Sequence, residues 1–270
     1  MSRIITLTTD FGLTDGFVGM IKGVILNIHP AVTLVDITHD IAPQNIEQGA
    51  FLFANAVRYF PANAIHVVVV DPGVGSARRP IAMQIGETLF VAPDNGVLTF
   101  AIQKLTSENP ESEIRAVHLN RPEYWLPRVS HTFHARDIFS PVAAHLSLGV
   151  PLEALGDPID DWARLSVSAT ATRSGDEITG QVIHIDHFGN IVTNIGEEIL
   201  DGLDHAKMVI RIGNRIIRGI KLTYADGERD EVMALVSSSW HLELAVPNGN
   251  AAKSLGTRIG DVLKVGIDND

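Results

Sequence analysis

Cysteine is absent from this 270-residue chain. Its absence excludes a disulfide framework, thiolate metal sites and a cysteine nucleophile, and is compatible with a reducing cytoplasm. Basic runs are absent too. With 21 Lys and Arg against 32 Asp and Glu the formal net charge is -11, so the electrostatic footprint of a nucleic-acid partner is missing and a neutral or cationic small molecule fits better. No apolar run reaches the length of a membrane span, and Met1-Ser2-Arg3 leads into IITLTTD, too short and too polar for a signal-peptide apolar region. A soluble, cytoplasmic protein without membrane contact is expected. There is no internal repeat and no low-complexity tract. What is present is 45% hydrophobic residues, enough for one large core or two smaller ones, with two favoured.

The first half alternates two periodicities. RIITLTT is a β-rich run ending at Asp10, after which Phe17, Met20, Ile21, Val24, Ile25 and Ile28 recur at helical spacing up to Pro30. VTLVDIT (32–38) predicts the next strand, NIEQGAFLFANAVRYF (45–60) the next helix, and IHVVVVD (65–71) a strand apolar on both faces, as in a parallel sheet. TLFVAPDNGVLTFAIQKL adds a strand, a turn at Asp94-Asn95-Gly96 and a helix, and DIFSPVAAHLSLG (137–149) a last helix. This repetition predicts an N-terminal doubly wound α/β domain over residues 1–150. Such sheets bind ligands beyond the carboxyl ends of their strands, where Asp10 and Asp71 both fall. Residues 151–175 are rich in Pro, Asp, Ser and Thr and predict a linker. Seven short β-rich runs, with turn signals such as Gly213-Asn214 and Asn248-Gly249, predict a C-terminal all-β barrel domain over 176–270.

Three clusters carry candidate chemistry. VVVVDPGVGSARRP (67–80) has the glycines of a phosphate loop, but it runs into IAMQIGETLFVA, a predicted hairpin, where a dinucleotide fingerprint requires a helix. It is either a tight Pro-Gly turn capped by Asp71, or a corner in which Arg78 folds back to keep the Asp71 carboxylate ionised and oriented. HTFHARDIF (131–139) places His131, His134 and Asp137 at three-residue intervals. That spacing suits metal ligands on a helix, and equally a helix start with an Arg136–Asp137 ion pair. HIDHFGNIVTN crowds Asp186, Phe188, Asn190 and Asn194 around a turn that Gly189 permits, a surface on which a nucleoside base could stack and hydrogen-bond.

Taken in order, TTDFGLTDGFVG, DITHDIAPQNIEQGA, VVVVDPGVGSARRPI, APDNGVLT, TFHARDIFSPVAAHL, IDHFGNIVTNI and SSSWHLELAVPNGNAA span nearly the whole chain. Together they resemble the successive blocks of the S-adenosyl-L-methionine (SAM) hydroxide adenosyltransferases, or SAM hydrolases, relatives of the bacterial fluorinase and chlorinase. The resemblance implies hydrolysis of SAM to adenosine and L-methionine by water displacement at ribose C5′. It also implies no metal or other cofactor, and a homotrimer with active sites between neighbouring subunits. The family's water-activating trio falls on Asp71, Arg78 and His134. An Asp at position 71 resembles the water-using branch, which agrees with physical expectation, since a carboxylate accepts a water proton but repels a halide.

By the same matching, Asp10 is implied as the acceptor for the ribose diol, Asn190 as the reader of the adenine edge with Phe188 stacked beside it, and Asp186 as a contact to the methionine ammonium. Ser238 and the backbone near Val246 match contacts in the last block, where Glu243 also lies and is a further candidate contact. The halogenases follow the matching serine with an arginine, where this chain has Ser239, so the resemblance supplies no anchor for the methionine carboxylate. Trp240 stands where a small residue is more usual. Two other functions compete: a nucleoside or SAM binding protein without catalysis, and a metal-dependent hydrolase built on His131, His134 and His184. Retention of the whole trio opposes the first, and the lack of a compact three-ligand motif opposes the second.

Overall fold

The computed structural model describes residues 3–165 and 171–267. The chain is a mixed α/β protein with two sheets, and it divides into two compact units, Met1–Leu165 and Ser166–Asp270.

The first unit contains strands β1 (Ile4–Thr9), β2 (Thr33–Thr38), β3 (Ile65–Val69), β4 (Pro80–Ile85), β5 (Thr88–Pro93), β6 (Ile114–Leu119) and β7 (Gly156–Ile159). They are ordered β2-β1-β3-β5-β4-β6-β7, parallel from β2 to β5 and antiparallel beyond. The helices are α1 (Phe17–Ile28), α2 (Ile46–Val57), α3 (Thr99–Glu108) and α4 (Ser140–Ser147). The two-residue alternation of β3 sends its side chains to two cores. Val67 and Val69 join Ile21 and Ile25 of α1 and Leu146 of α4, whereas Val68 joins Phe53 and Val57 of α2 and Ala101 of α3. All of β3 is buried, as its run of apolar residues predicts. At about 1.5–3 kcal/mol for each fully buried large aliphatic side chain, such double-sided burial is what holds the strand in the sheet centre. Asn45 caps α2 by accepting from the Gln48 N–H at 3.0 Å.

The predicted hairpin is β4–β5, turning between Ile85 and Thr88. The connection from β3 to β4 therefore passes over the end of β5, which lies between them. β6 was not anticipated, because Arg115 and His118 interrupt its apolar pattern, and β7 extends the sheet edge within the stretch expected as a linker. Residues 166–170 of that stretch lie outside the described residues.

In the second unit each of the seven β-rich runs contributes strands. β8 (Thr172–Ser174), β9 (Glu177–Ile185), β10 (Ile191–Gly196), β11 (Met208–Ile212), β12 (Arg215–Arg218), β13 (Ile220–Lys221), β14 (Met233–Val236), β15 (His241–Ala245) and β16 (Val262–Ile267) form one sheet. Its order is β12-β11-β16-β9-β10-β15-β14-β13, with β8 on β9. The sheet curls until β12 nears β14, giving a nearly barrel-shaped wall around Ile178, Ile191, Ile210, Leu244 and Val265. Two short helices, α5 (Glu197–Leu200) and α6 (Ala251–Leu255), add Leu200 and Ala251 to this core. Among the described residues no helix is long and apolar enough to cross a membrane.

Candidate functional site

Strand order places the first cluster. β1 and β3 are adjacent and parallel, so Asp10, directly after β1, and Asp71, two residues after β3, leave the same edge of the sheet. The chain then turns tightly: Val74 N–H donates to the Asp71 carbonyl at 3.2 Å, and Ser76 N–H to the Gly73 carbonyl at 3.1 Å. Gly75 has φ +77°, and a Cβ there would lie well inside 3.0 Å of the His131 carbonyl oxygen. Only glycine lets the two segments touch. The turn returns Arg78 to Asp71. Its Nε donates to Oδ1 at 3.0 Å and its Nη2 to Oδ2, a bidentate pair with side chains only 7% and 6% exposed. The observed contacts fit both readings of this stretch, a tight turn and a corner closed by Arg78, since the turn is what returns Arg78 to Asp71.

His134 completes this group: Arg78 Nη2 lies 3.3 Å from its Nδ1. An arginine only donates, so Nδ1 accepts, and the neutral imidazole carries its hydrogen on Nε2. Burial, reinforced by the Arg78 charge, holds the His134 pKa below its ordinary value. Burial likewise pushes the Asp71 carboxyl above its usual range, with Arg78 pulling the other way. Arg78 Nη1 is buried and has no partner among the described residues. Its guanidinium lies over the Phe139 ring, 5.5 Å from the centroid, a contact the sequence reading missed.

A second set of contacts ties the Asp10 and His134 loops together. Phe11 and Phe133, their immediate neighbours, meet edge to face at 5.8 Å, and Phe17 of α1 packs on both. Asp10 Oδ2 accepts the Gln44 N–H at 2.7 Å, and buried His39 holds Thr9 through an Nδ1–Oγ1 contact of 2.7 Å. Asp137 is fully buried, with its carboxylate taken up by Arg136 and Ser130. Arg136 Nε donates to its Oδ1 at 2.6 Å, and the Ser130 N–H and hydroxyl donate to Oδ2 at 2.8 and 2.7 Å. Burial raises its pKa, but these donors outweigh it and hold the carboxyl below the usual range. Asp137 thus orders the entry to a π-helical turn at Ala135–Phe139. Among the described residues no three His, Cys, Asp or Glu side chains are grouped to hold a metal ion.

The second unit holds the remaining candidates. Asp186 is the centre of the β9–β10 turn. Its Oδ1 accepts from the N–H groups of Phe188 at 2.9 Å and Asn190 at 2.8 Å, and its Oδ2 from Asn190 Nδ2 at 2.9 Å. Asn190 is buried and spends one of its two amide hydrogens on Asp186, which leaves Oδ1 as an acceptor and the second N–H as a donor. Phe188 is 72% exposed. Glu243 is buried and accepts from the Tyr224 hydroxyl at 2.7 Å. Burial raises the Glu243 pKa, the negative charge of Asp186 adds to the rise, and burial together with Glu243 raises that of Tyr224. Ser238 is exposed in the β14–β15 hairpin, whose turn closes through Ser237 N–H to the His241 carbonyl at 2.9 Å. Ser239 Oγ contacts Ser237 Oγ at 2.8 Å, and Trp240 takes φ +63°. The Val246 carbonyl accepts the Gly249 N–H at 2.9 Å.

Comparison with known proteins gives this geometry a context. The SAM hydroxide adenosyltransferase N-terminal domain matches residues 5–156, and the C-terminal domain of the same family matches 180–264. A Salinispora tropica protein named (R)-S-adenosyl-L-methionine hydrolase is 38% identical over 262 residues, covering 97% of each chain. One of the same name from Thermus thermophilus is 34% identical, covering 96% of this chain and 97% of its own. A fluorinase from Nocardia brasiliensis is 28% identical, covering 98% and 97%. The crystal structure of a conserved protein from Thermotoga maritima superposes with a TM-score of 0.88 at 34% identity, covering 98% of this chain and all of the other. The chain belongs to the SAM hydroxide adenosyltransferase family.

Proposed function

We propose that the protein hydrolyses S-adenosyl-L-methionine to adenosine and L-methionine by attack of water on the ribose C5′ carbon. Membership in an adenosyltransferase family makes it an enzyme. The observation that carries the reaction is the buried Asp71–Arg78 pair joined by His134 at the carboxyl edge of parallel strands. In this reading the Asp71 carboxylate orients the water and takes its proton. The Arg78 bidentate contact fixes that carboxylate, and His134, which accepts from Arg78 at Nδ1, offers an Nε2–H donor. The water oxygen bonds to C5′ as the C5′–S bond breaks, and the electron pair goes to sulfur. Methionine leaves as a neutral thioether, so a metal ion has no developing negative charge to stabilise on the leaving group. Positioning and drying the nucleophile supply the acceleration.

Asp10 takes the two ribose hydroxyls, since a carboxylate accepts both at once. Asn190 Oδ1 receives the adenine amine and Phe188 stacks on the base. Asp186, with buried Glu243 adding to the negative charge, suits the methionine ammonium, with Ser238 and the Val246 backbone as further contacts. The helices on both faces of the first sheet support reading it as doubly wound. Association into a homotrimer belongs to the same reading, and the exposed Leu13, Phe17 and Met20 supply apolar surface for it. The test is incubation of the purified protein with SAM, with and without a chelator. Adenosine release insensitive to the chelator is expected. No release refutes the reading, and loss on chelation revives a metal mechanism. Asp71→Ala and His134→Ala are expected to lower turnover far more than adenosine affinity, and equal losses would make them binding residues only.

A further inference from the structure

The reacting corner is held from outside by a turn that the proposed chemistry leaves unused. β3 and β5 are parallel and adjacent, and β4 starts beside the end of β5, with Pro80 opposite Pro93. The loop bearing Asp71 and Arg78 must therefore arch over the end of β5, and the first residues beyond that strand lie between its two feet. Those residues are Asp94 and Asn95. Asn95 Nδ2 donates to the Val70 carbonyl at 2.8 Å, immediately before Asp71. Asp94 N–H donates to the Arg79 carbonyl at 2.9 Å, immediately after Arg78. Arg79 answers with Nε and Nη2 on Asp94 Oδ2 at 2.9 and 2.6 Å. Asp94 is in turn fixed by the Ala163 N–H on its Oδ1 at 2.7 Å, and Arg79 by Asp161 at 2.8 Å.

We propose that Asp94 and Asn95 are positioning residues, a two-point clamp that sets the separation of Asp71 and Arg78. Adjacent arginines thus have divided tasks: Arg78 turns inward to Asp71, and Arg79 outward to Asp94. The side chain of Asn95 is suited to its place, because Oδ1 also accepts the Val97 N–H at 3.2 Å and so fixes the turn from which Nδ2 reaches Val70. A bidentate pair that must present a water to a carbon tolerates little drift, and a misplacement of about 1 Å costs on the order of 100-fold in rate.

The proposal rests on the hydrolase reading, and the experiment separates the two. Asn95→Ser keeps an oxygen for the Val97 N–H and removes the Nδ2 donor, so the turn is preserved while one foot is released. We expect kcat with SAM to fall about 10- to 100-fold, with KM and adenosine Kd within about threefold of wild type and an unchanged unfolding temperature. Asp94→Ala should behave likewise, with Asp94→Asn, which keeps the shape and one of the two acceptor oxygens, recovering part of the loss. Asn95→Ser at wild-type kcat, or with kcat and adenosine affinity lost in parallel, overturns the clamp. An inactive wild type overturns the hydrolase reading alone. The clamp is then decided by crystal structures of wild type and Asn95→Ser: an Arg78 Nε–Asp71 Oδ1 distance still at 3.0 Å refutes it.

Discussion

Replacing Gly75 by alanine probes the corner without touching any group that meets substrate. Two costs arise together. The backbone at φ +77° carries a penalty of about 1–2 kcal/mol for a residue with a Cβ. The new methyl also falls inside the contact distance of the His131 carbonyl, which is backbone and cannot rotate aside. Relief requires the Asp71–Arg78 loop and the segment leading to His134 to part by roughly 1 Å, and this is the displacement expected to cost about 100-fold in rate. The 3.3 Å contact between Arg78 and His134 is the first to open. Gly73→Ala is the control. There a Cβ meets the Arg78 Cβ at 3.4 Å, near ordinary contact, without a left-handed backbone. Adenosine release and thermal unfolding should show Gly75→Ala destabilised by about 2–4 kcal/mol and slowed far more than Gly73→Ala. Wild-type kcat in Gly75→Ala would refute the corner as the reacting geometry.

Two predictions concern protons. Because burial raises the Asp71 pKa and Arg78 opposes that rise, Arg78→Met removes the opposing cation. The acid limb of the residual kcat/KM profile should then move to higher pH, and an unmoved limb would assign it to another group. His66, fully buried among Phe53, Phe60 and Phe90 with its Nδ1 2.7 Å from Thr6 Oγ1, has its pKa pushed down by burial to about 3. The folded state then binds fewer protons than the unfolded one between pH 6.5 and about 3. The stability this confers is present above 6.5 and is lost as pH falls, by about 1.4 kcal/mol per pH unit. His66→Gln should flatten the stability profile by that slope in acid denaturant titrations, and an unchanged slope would contradict a neutral buried imidazole.

What the sequence made legible follows from where its signals are local. The apolar run at 65–69, the hairpin after Pro80 and the seven β-rich runs of the second half each state their own conformation within a few residues. The Asp71–Arg78 pairing was legible because a Pro-Gly turn brings residues seven apart together. Asp137 was open between two roles because its decisive partner, Ser130, comes from the loop before the helix. β6 was hidden by Arg115 and His118, which fall on opposite faces of the strand and break its alternation, and β7 by Pro158, which an edge strand tolerates. The contacts of Asn95 with Val70 and of Asp94 with Arg79 depend on β5 lying between β3 and β4, which is strand order and is written in no single segment. Trp240 has a left-handed backbone in a hairpin turn, and nothing in the structure explains why a tryptophan occupies it.

The central claim is displacement at C5′ by a water that Asp71, Arg78 and His134 hold. Running the reaction in oxygen-18 water tests it most directly, by mass spectrometry of both products. The label is expected at the 5′-hydroxyl of adenosine, with methionine unlabelled; unlabelled adenosine, with label in the methionine carboxylate, would mean that a carboxylate attacks C5′ and would contradict attack by water.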